Sequence, residues 1–78
     1  MRQFRISLRS LADVQAFVSL AMVQPFGVMV GGENHSINGK NFMGMFSLDY
    51  SRPLQVSVDC DEVQFQKFQE AAKPFLVA

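Results

Sequence analysis

The sequence predicts an α+β fold, in which an antiparallel sheet carries all of its helices on one face in the order β-α-β-β-α-β-α. Three observations support this prediction: segments that alternate strictly between apolar and polar residues, stretches whose apolar residues recur at helical spacing, and Gly-Gly and Asn-Gly turn signals between them. A chain of 78 residues suffices for one domain with one modest core, so we predict a single domain over residues 1–78.

The first strand and the first helix have the clearest patterns. Residues 4–8 alternate with their apolar members on one side, as in a half-buried strand. Ser10 then stands as the N-cap of a helix, and Asp13 is placed to complete a capping box. Pro25 ends this helix, and its apolar stripe consists of Val14, Phe17, Val18, Ala21 and Met22.

The middle of the chain predicts a hairpin followed by a short helix. Residues 26–30 form a short apolar strand, Gly31-Gly32 permits a tight turn, and His35 to Ile37 returns as the next strand. Asn38-Gly39 is a second turn signal. Residues 41–48 are apolar on nearly every side, and a segment of eight residues that includes Gly44 predicts a short helix rather than a long one.

The last third predicts one more strand and one more helix. Residues 54–58 alternate as a strand does, and Asp61 and Glu62 are acids of the kind that helix N-termini favour. The apolar side of this helix consists of Phe65, Phe68, Ala72 and Phe75. We expect one core between the sheet and the helices, containing Phe4, Ile6, Val18, Val28, Ile37, Val56, Val58 and Phe68.

Composition and charge argue against several classes of function. Seven basic residues balance seven acidic ones, and the sparse run Arg2, Arg5 and Arg9 resembles a solvated strand edge more than a nucleic-acid surface. No apolar run is long enough to cross a membrane, and the N-terminus lacks the pattern of a signal peptide. Because Cys60 is the only cysteine, no internal disulfide can form. We therefore expect a cytoplasmic protein with neither nucleic-acid nor membrane partners.

One segment, taken with the order of the elements, resembles the HPr phosphocarriers of the phosphoenolpyruvate-dependent sugar phosphotransferase system. Residues 40–48, Lys-Asn-Phe-Met-Gly-Met-Phe-Ser-Leu, are similar to the stretch around the regulatory serine of that family. Residues 13–18 and the ending Lys73-Pro74-Phe75-Leu76-Val77 resemble a clostridial-type subgroup of HPr-like proteins. This resemblance covers almost the whole chain. It implies an open-faced sandwich in which three helices cover one face of a four-stranded antiparallel sheet.

The resemblance also implies where phosphoryl chemistry would lie. In the family, a histidine before the first helix takes phosphate from enzyme I and passes it to EIIA domains, assisted by an arginine and a proline. Those three positions fall on Ala12, Val14 and Gln15, or begin at Leu11 after a shift of one, and none of the three residue types is present. Asp13 would place a carboxylate where a phosphate dianion must bind. We therefore expect a protein that cannot carry phosphate, with no catalytic residue, cofactor or enzymatic activity.

The second helix is the predicted docking face, because the family binds its partners through this helix and the start of the first. The regulatory serine falls on Asn41, which has no hydroxyl to phosphorylate and suits an N-cap. Met43 and Phe46 are the preferred anchors for a protein partner, with Ala12 and Asn41 as further contact residues. We expect partners among the components or regulators of the phosphotransferase system.

Two other functions remain as alternatives. His35, the only histidine, could make the chain a working phosphocarrier with an unorthodox residue, or the fold could serve an unrelated interaction. Asp59-Cys60-Asp61-Glu62 could suggest a metal site with His35, but one thiol without repeat spacing favours a strand end and a helix cap. Acidic neighbours should also raise the pKa of Cys60, so we expect a packing residue rather than a redox thiol and no bound metal.

Overall fold

A computed structural model describes residues 2–31, 36–48 and 51–77 of the chain. Within these ranges it contains a four-stranded antiparallel sheet and three α-helices, which confirms the predicted α+β class. The strands are β1 (Arg2–Ile6), β2 (Val28–Gly31), β3 (Ser36–Asn38) and β4 (Leu54–Val58). The helices are α1 (Leu11–Met22), α2 (Phe42–Phe46) and α3 (Glu62–Ala71), and a 3-10 turn over Lys73–Phe75 follows α3.

The strands lie in the order β1-β4-β2-β3. Because β4 is antiparallel to both β1 and β2, those two strands run parallel to each other and are joined through α1, a split βαβ unit. β2 and β3 pair antiparallel, as the predicted hairpin requires. The predicted turn at Gly32 and the returning residue His35 lie outside the described residues.

One face of the sheet forms the core with the helices. Alternate residues of β1, β2 and β4 are buried, whereas Gln3, Arg5, Met29 and Gln55 between them are exposed on the open face. Of the eight predicted core residues, seven are buried: Phe4, Ile6, Val18, Val28, Val56, Val58 and Phe68. The prediction that Ile37 is buried was wrong. Ile37 is only half-buried, because it lies on β3, a three-residue strand at the edge of the sheet.

The ring of Phe68 joins the layers of the core. Its centroid lies 5.7 Å from that of Phe4 on β1, 6.1 Å from Phe17 on α1 and 5.6 Å from Phe26 before β2. Two of these contacts are edge-to-face, and such pairs contribute about 0.5–1.5 kcal/mol beyond the area that they bury. One side chain of α3 therefore holds the helix against both the sheet and α1.

The helix caps differ in part from those expected. Ser10 caps α1, since its Oγ accepts the N–H of Asp13 at 3.2 Å. The predicted capping box is wrong, because Asp13 accepts the N–H of Arg9 at 2.9 Å and so reaches one residue beyond the cap. The complete capping box lies instead on α3, between Asp61 and Gln64.

The bounds of the elements also shift from the predicted ones. β1 ends at Ile6 rather than Leu8, although Leu8 is still buried, and β2 starts at Val28 rather than Phe26. The predicted apolar stripe of α1 is correct for its first four members and wrong for Met22, which is 62% exposed at the end of the helix. Among the described residues, no helix is both long and apolar enough to cross a membrane.

After α3 the chain returns to the outer edge of β1. Leu76 bridges to Ile6 in antiparallel fashion, the N–H of Ser7 donates to the carbonyl oxygen of Phe75 at 2.7 Å, and the N–H of Val77 donates to that of Arg5 at 3.1 Å. We call residues 75–77 the tail. Its apolar residues Phe75 and Leu76 pack against the core, so the tail extends the sheet at this edge.

Candidate functional site

The short helix α2 is held by its own polar residues. The Oδ1 of Asn38 accepts the N–H of Lys40 at 2.9 Å and forms the turn that leads into the helix. Asn41 is the N-cap, as predicted, because its Oδ1 accepts the N–H of Gly44 at 3.2 Å. On the inner side of the helix, Met45 is 1% exposed. The cap and this buried side chain fix which way the other side chains of α2 point.

The two predicted anchors lie on the outside of α2. Met43 is 76% exposed and Phe46 is 43% exposed. The ring of Phe46 contacts that of half-buried Phe42 edge-to-face, with 5.1 Å between the centroids. This contact orders Phe46 while leaving much of its surface open to a partner.

Helix α1 contributes to the same surface. A shallow groove between the two helices is lined by Gln15, Ser19 and Met22 of α1 and by Phe42 of α2, with Val18 below them. We call Met22, Phe42, Met43 and Phe46 the α1–α2 surface. Sequence reasoning missed Met22 because its i+8 position continues the apolar stripe, and that spacing could not show that the last turn leaves the core.

The α1–α2 surface is almost without charge. Asp13, in the first turn of α1, is the only charged residue in the two helices. Exposed apolar side chains grouped without charges are typical of sites that bind other proteins. Ala12 is exposed in the same first turn, three residues before Gln15 and therefore on the side of α1 that bears the groove.

The start of α1 is occupied by the hydrogen bonds of its own cap. Ser10 accepts one helical N–H, and the carboxylate of Asp13 accepts the N–H of Arg9. A negative charge therefore stands where an anion would otherwise meet the helix N-terminus. Ala12, Val14 and Gln15 in this turn carry neither an imidazole nor a guanidinium.

The environment of Cys60 favours the neutral thiol over the thiolate. Burial raises the pKa of Cys60, the carboxylates of Asp61 and Asp59 raise it further, and the guanidinium of Arg2 opposes them. Asp61 also serves the cap of α3, where it accepts the N–H of Gln64 at 2.7 Å. A thiol whose pKa is raised stays neutral and is a poor nucleophile.

No group of three His, Cys, Asp or Glu side chains that could hold a metal ion occurs among residues 2–31, 36–48 and 51–77. His35, which was considered both as a metal ligand and as an unorthodox phosphate carrier, lies outside these ranges.

Comparison with protein families, with curated proteins and with solved structures gave no match to this chain. The resemblance to HPr phosphocarriers therefore depends on the residues quoted above.

Proposed function

We propose that this chain is an HPr-like protein that cannot carry phosphate and acts by binding other proteins, as a regulator or component-binding protein of the sugar phosphotransferase system. The observation that carries the proposal is the exposure of Met43 and Phe46, 76% and 43%, on a helix whose sequence resembles the docking helix of HPr. The chain keeps the apolar character of that helix and lacks the reactive group beside it.

The residues in the first turn of α1 are the reason for proposing that the chain cannot transfer a phosphoryl group. Carriage of a phosphoryl group needs an imidazole nitrogen as nucleophile and cations or free N–H groups to stabilise the dianion. Residues 10–16 contain neither histidine nor arginine, and Asp13 adds a negative charge there. Repulsion between this carboxylate and a dianion would oppose transfer even if another nucleophile were near.

The proposed function also does not include regulation of α2 by a serine kinase. Asn41 stands where the family has its regulatory serine, and its side-chain oxygen is engaged as the helix cap. An amide at this position cannot accept a phosphoryl group. Binding through α2 would therefore be constitutive with respect to that modification.

The α1–α2 surface can supply the binding energy that such a function requires. Desolvating one exposed Met or Phe side chain in a complex contributes about 1.5–3 kcal/mol. Met22, Met43 and Phe46 together offer three such side chains on two adjacent helices. Methionine adapts its shape to different partners, which suits a protein that contacts several components of one system.

The phosphoryl question is tested by incubation with enzyme I and phosphoenolpyruvate, followed by intact-mass measurement, with a histidine-containing HPr as positive control. We expect the control to gain one phosphoryl group and this chain to gain none. A stoichiometric, acid-labile adduct would overturn the proposal. If that adduct mapped to His35, the chain would be a phosphocarrier with an unorthodox residue.

The binding question is tested with immobilised enzyme I and EIIA domains. We expect the native chain to bind one of them, and Met43→Asp and Phe46→Asp each to weaken that binding about tenfold or more. Val63→Asp is the matched control, since Val63 is 61% exposed on α3, away from the α1–α2 surface. Equal binding by all three folded variants would exclude this surface. If the native chain bound neither protein, the proposed role in the phosphotransferase system would be wrong.

A further inference from the structure

The four methionines that the structure describes differ widely in their exposure to solvent. Met43 on α2 is 76% exposed and Met22 at the end of α1 is 62% exposed, whereas Met45 on the inner side of α2 is 1% exposed. Met29, on the open face of the sheet, is 38% exposed. Because oxidation of a thioether requires access to its sulfur, an oxidant in solution reaches Met43 and Met22 before Met45.

The two most exposed methionines belong to the α1–α2 surface. Met22 lines the groove between the two helices together with Phe42, and Met43 is the next residue along α2. Asp13 is the only charged residue in these helices, so the surface is defined by apolar side chains. Two of the four residues that define this surface therefore contain a sulfur that can be oxidised.

Hydrogen peroxide is an oxidant of the class that this chemistry requires. A lone pair of the thioether sulfur attacks one peroxide oxygen, the O–O bond breaks, and a sulfur–oxygen bond forms. The sulfur loses two electrons, and the departing hydroxide takes the proton of the transferred oxygen and leaves as water. A thiol-dependent sulfoxide reductase reverses the step, because two thiols become a disulfide and the oxygen leaves as water.

Oxidation replaces an apolar side chain by a polar one. A sulfoxide accepts hydrogen bonds, whereas a thioether is a weak acceptor that packs well in apolar contacts. A partner that covers Met43 would then have to bury the new oxygen, which is unfavourable unless that oxygen finds a donor. Since Met22 and Met43 lie outside the core, their oxidation changes the surface and leaves the packing around Met45 in place.

We propose that Met22 and Met43 are reversible oxidation sites through which peroxide converts the α1–α2 surface from an apolar to a polar one. Met45 is protected by the core, so the fold persists while the surface changes. The effect on partner binding rests on the proposed function, whereas the order in which the methionines react does not.

The order of reaction is measured by brief treatment of the folded chain with dilute hydrogen peroxide, followed by peptide mass mapping. We expect Met43 and Met22 to gain one oxygen about tenfold or more faster than Met45, because Met45 reacts only when the structure opens locally. In urea the three rates should become similar, since the fold and not the local sequence sets the order. Equal rates for Met43 and Met45 in the folded chain would overturn the proposal.

Retention on a phenyl column measures the change in the surface without any partner. We expect the oxidised chain to elute earlier than the untreated chain, at an unchanged thermal midpoint. The double variant Met22→Leu with Met43→Leu keeps the surface apolar without sulfur, so peroxide should shift its retention much less. Met29→Leu is the matched control, because it removes an exposed sulfur from the open face instead, and its retention should shift nearly as much as that of the native chain.

The reverse step is tested on the same column. Sulfoxide reductases for both sulfoxide epimers, supplied with dithiothreitol, should restore the original retention of the oxidised chain. Retention that stayed shifted, an equal shift in the double variant, or a lower thermal midpoint after oxidation would each overturn the proposal.

The same variants measure the effect on binding to whichever of enzyme I and the EIIA domains the untreated chain binds. Oxidation should weaken the binding of the native chain and of Met29→Leu about tenfold or more, and should change that of the double variant little. Oxidised native chain that binds as tightly as before would overturn the proposal and leave the proposed function intact. If the untreated chain bound neither protein, the proposed function would fail, and the reaction rates and the column retention would still decide whether Met22 and Met43 are oxidation sites.

Discussion

Gly39 lies directly against Val28, with its N–H donating to the carbonyl oxygen of Val28 at 2.7 Å. A Cβ on Gly39 would come within 2.9 Å of the Cγ1 of Val28 and 3.0 Å of the Cγ2 of Val30. No glycine among the described residues has a positive φ, so Gly39 is required for close packing rather than for an unusual backbone angle. It lets the turn after β3 pack onto the buried side of β2.

This close contact predicts how much a methyl group added at Gly39 lowers the free energy of unfolding. Gly39→Ala should lower the free energy of unfolding by about 1–3 kcal/mol, because the two valines must shift within a packed core. Gly27→Ala is the matched control: nothing lies within 4 Å of its added Cβ, and the smaller entropy of the unfolded chain should leave stability unchanged or slightly higher. Urea denaturation of the two variants checks this. Equal stability of the two would show that the contact at Gly39 relaxes freely.

A second prediction separates the two sides of α2. Met45→Ala should lower the free energy of unfolding by about 2–5 kcal/mol, because Met45 is 1% exposed in the core. Met43→Ala removes the same atoms from a side chain that is 76% exposed, and should change stability by less than about 0.5 kcal/mol. Thermal or chemical denaturation distinguishes the variants. If both were equally destabilising, Met43 would be part of the core and unsuited to bind a partner.

The alternation of residues 4–8 and 54–58 was enough to predict which side chains enter the core, because a strand covered on one face has a period of two. Sequence could not show how far β3 extends, so the burial of Ile37 was overestimated. The pairing of the tail with β1 was also missed, since Phe75-Leu76-Val77 continues the apolar character of the helix before it. That pairing depends on residues far apart in the sequence.

The sequence predicted the α2 residues of the candidate site, but not that α1 contributes to the same surface. The spacing of Met43, Met45 and Phe46 on one short apolar helix meant that some had to face outward, and the structure shows which. The part played by α1 required tertiary information, because Met22 fits the apolar stripe of that helix by position alone. Local patterns indicate which faces are apolar, whereas packing decides which of them are covered.

The third prediction concerns the titration of Cys60. Since burial and the neighbouring aspartates raise its pKa in the folded chain, alkylation by iodoacetamide should reach half of its maximal rate at a higher pH than in the urea-unfolded chain. Because the folded chain favours the neutral thiol, the free energy of unfolding is unaffected by Cys60 below the pKa of the thiol in the unfolded chain. It falls as the pH rises from that pKa through the higher pKa of the folded chain. Asp59→Asn should lower this midpoint and Arg2→Ala should raise it. A folded-state midpoint below that of the unfolded chain would contradict the prediction.

A fourth prediction compares substitutions at one helix cap. Asn41→Ala should lower the free energy of unfolding by about 0.5–2 kcal/mol, because the N–H of Gly44 loses its acceptor. Asn41→Ser should retain most of the stability, since a serine hydroxyl accepts the same bond. Denaturation curves measure both. A serine variant as unstable as the alanine variant would mean that the cap depends on the reach of the amide and not only on its oxygen.

The last prediction addresses the contact between the tail and β1. Val77→Pro removes the N–H that donates to the carbonyl oxygen of Arg5, whereas Val77→Ala keeps it. Because the neighbouring bond from Ser7 to Phe75 depends on the same pairing, the Ser7 amide should exchange with solvent faster in the proline variant than in the alanine variant. The loss of stability should be modest, about 0.5–1.5 kcal/mol for one hydrogen bond. Hydrogen exchange followed by NMR gives the Ser7 rate directly, and exchange of the Phe4 amide, which faces β4, serves as the internal reference. Equal Ser7 rates in both variants would show that Leu76 and Phe75 hold the tail by packing alone.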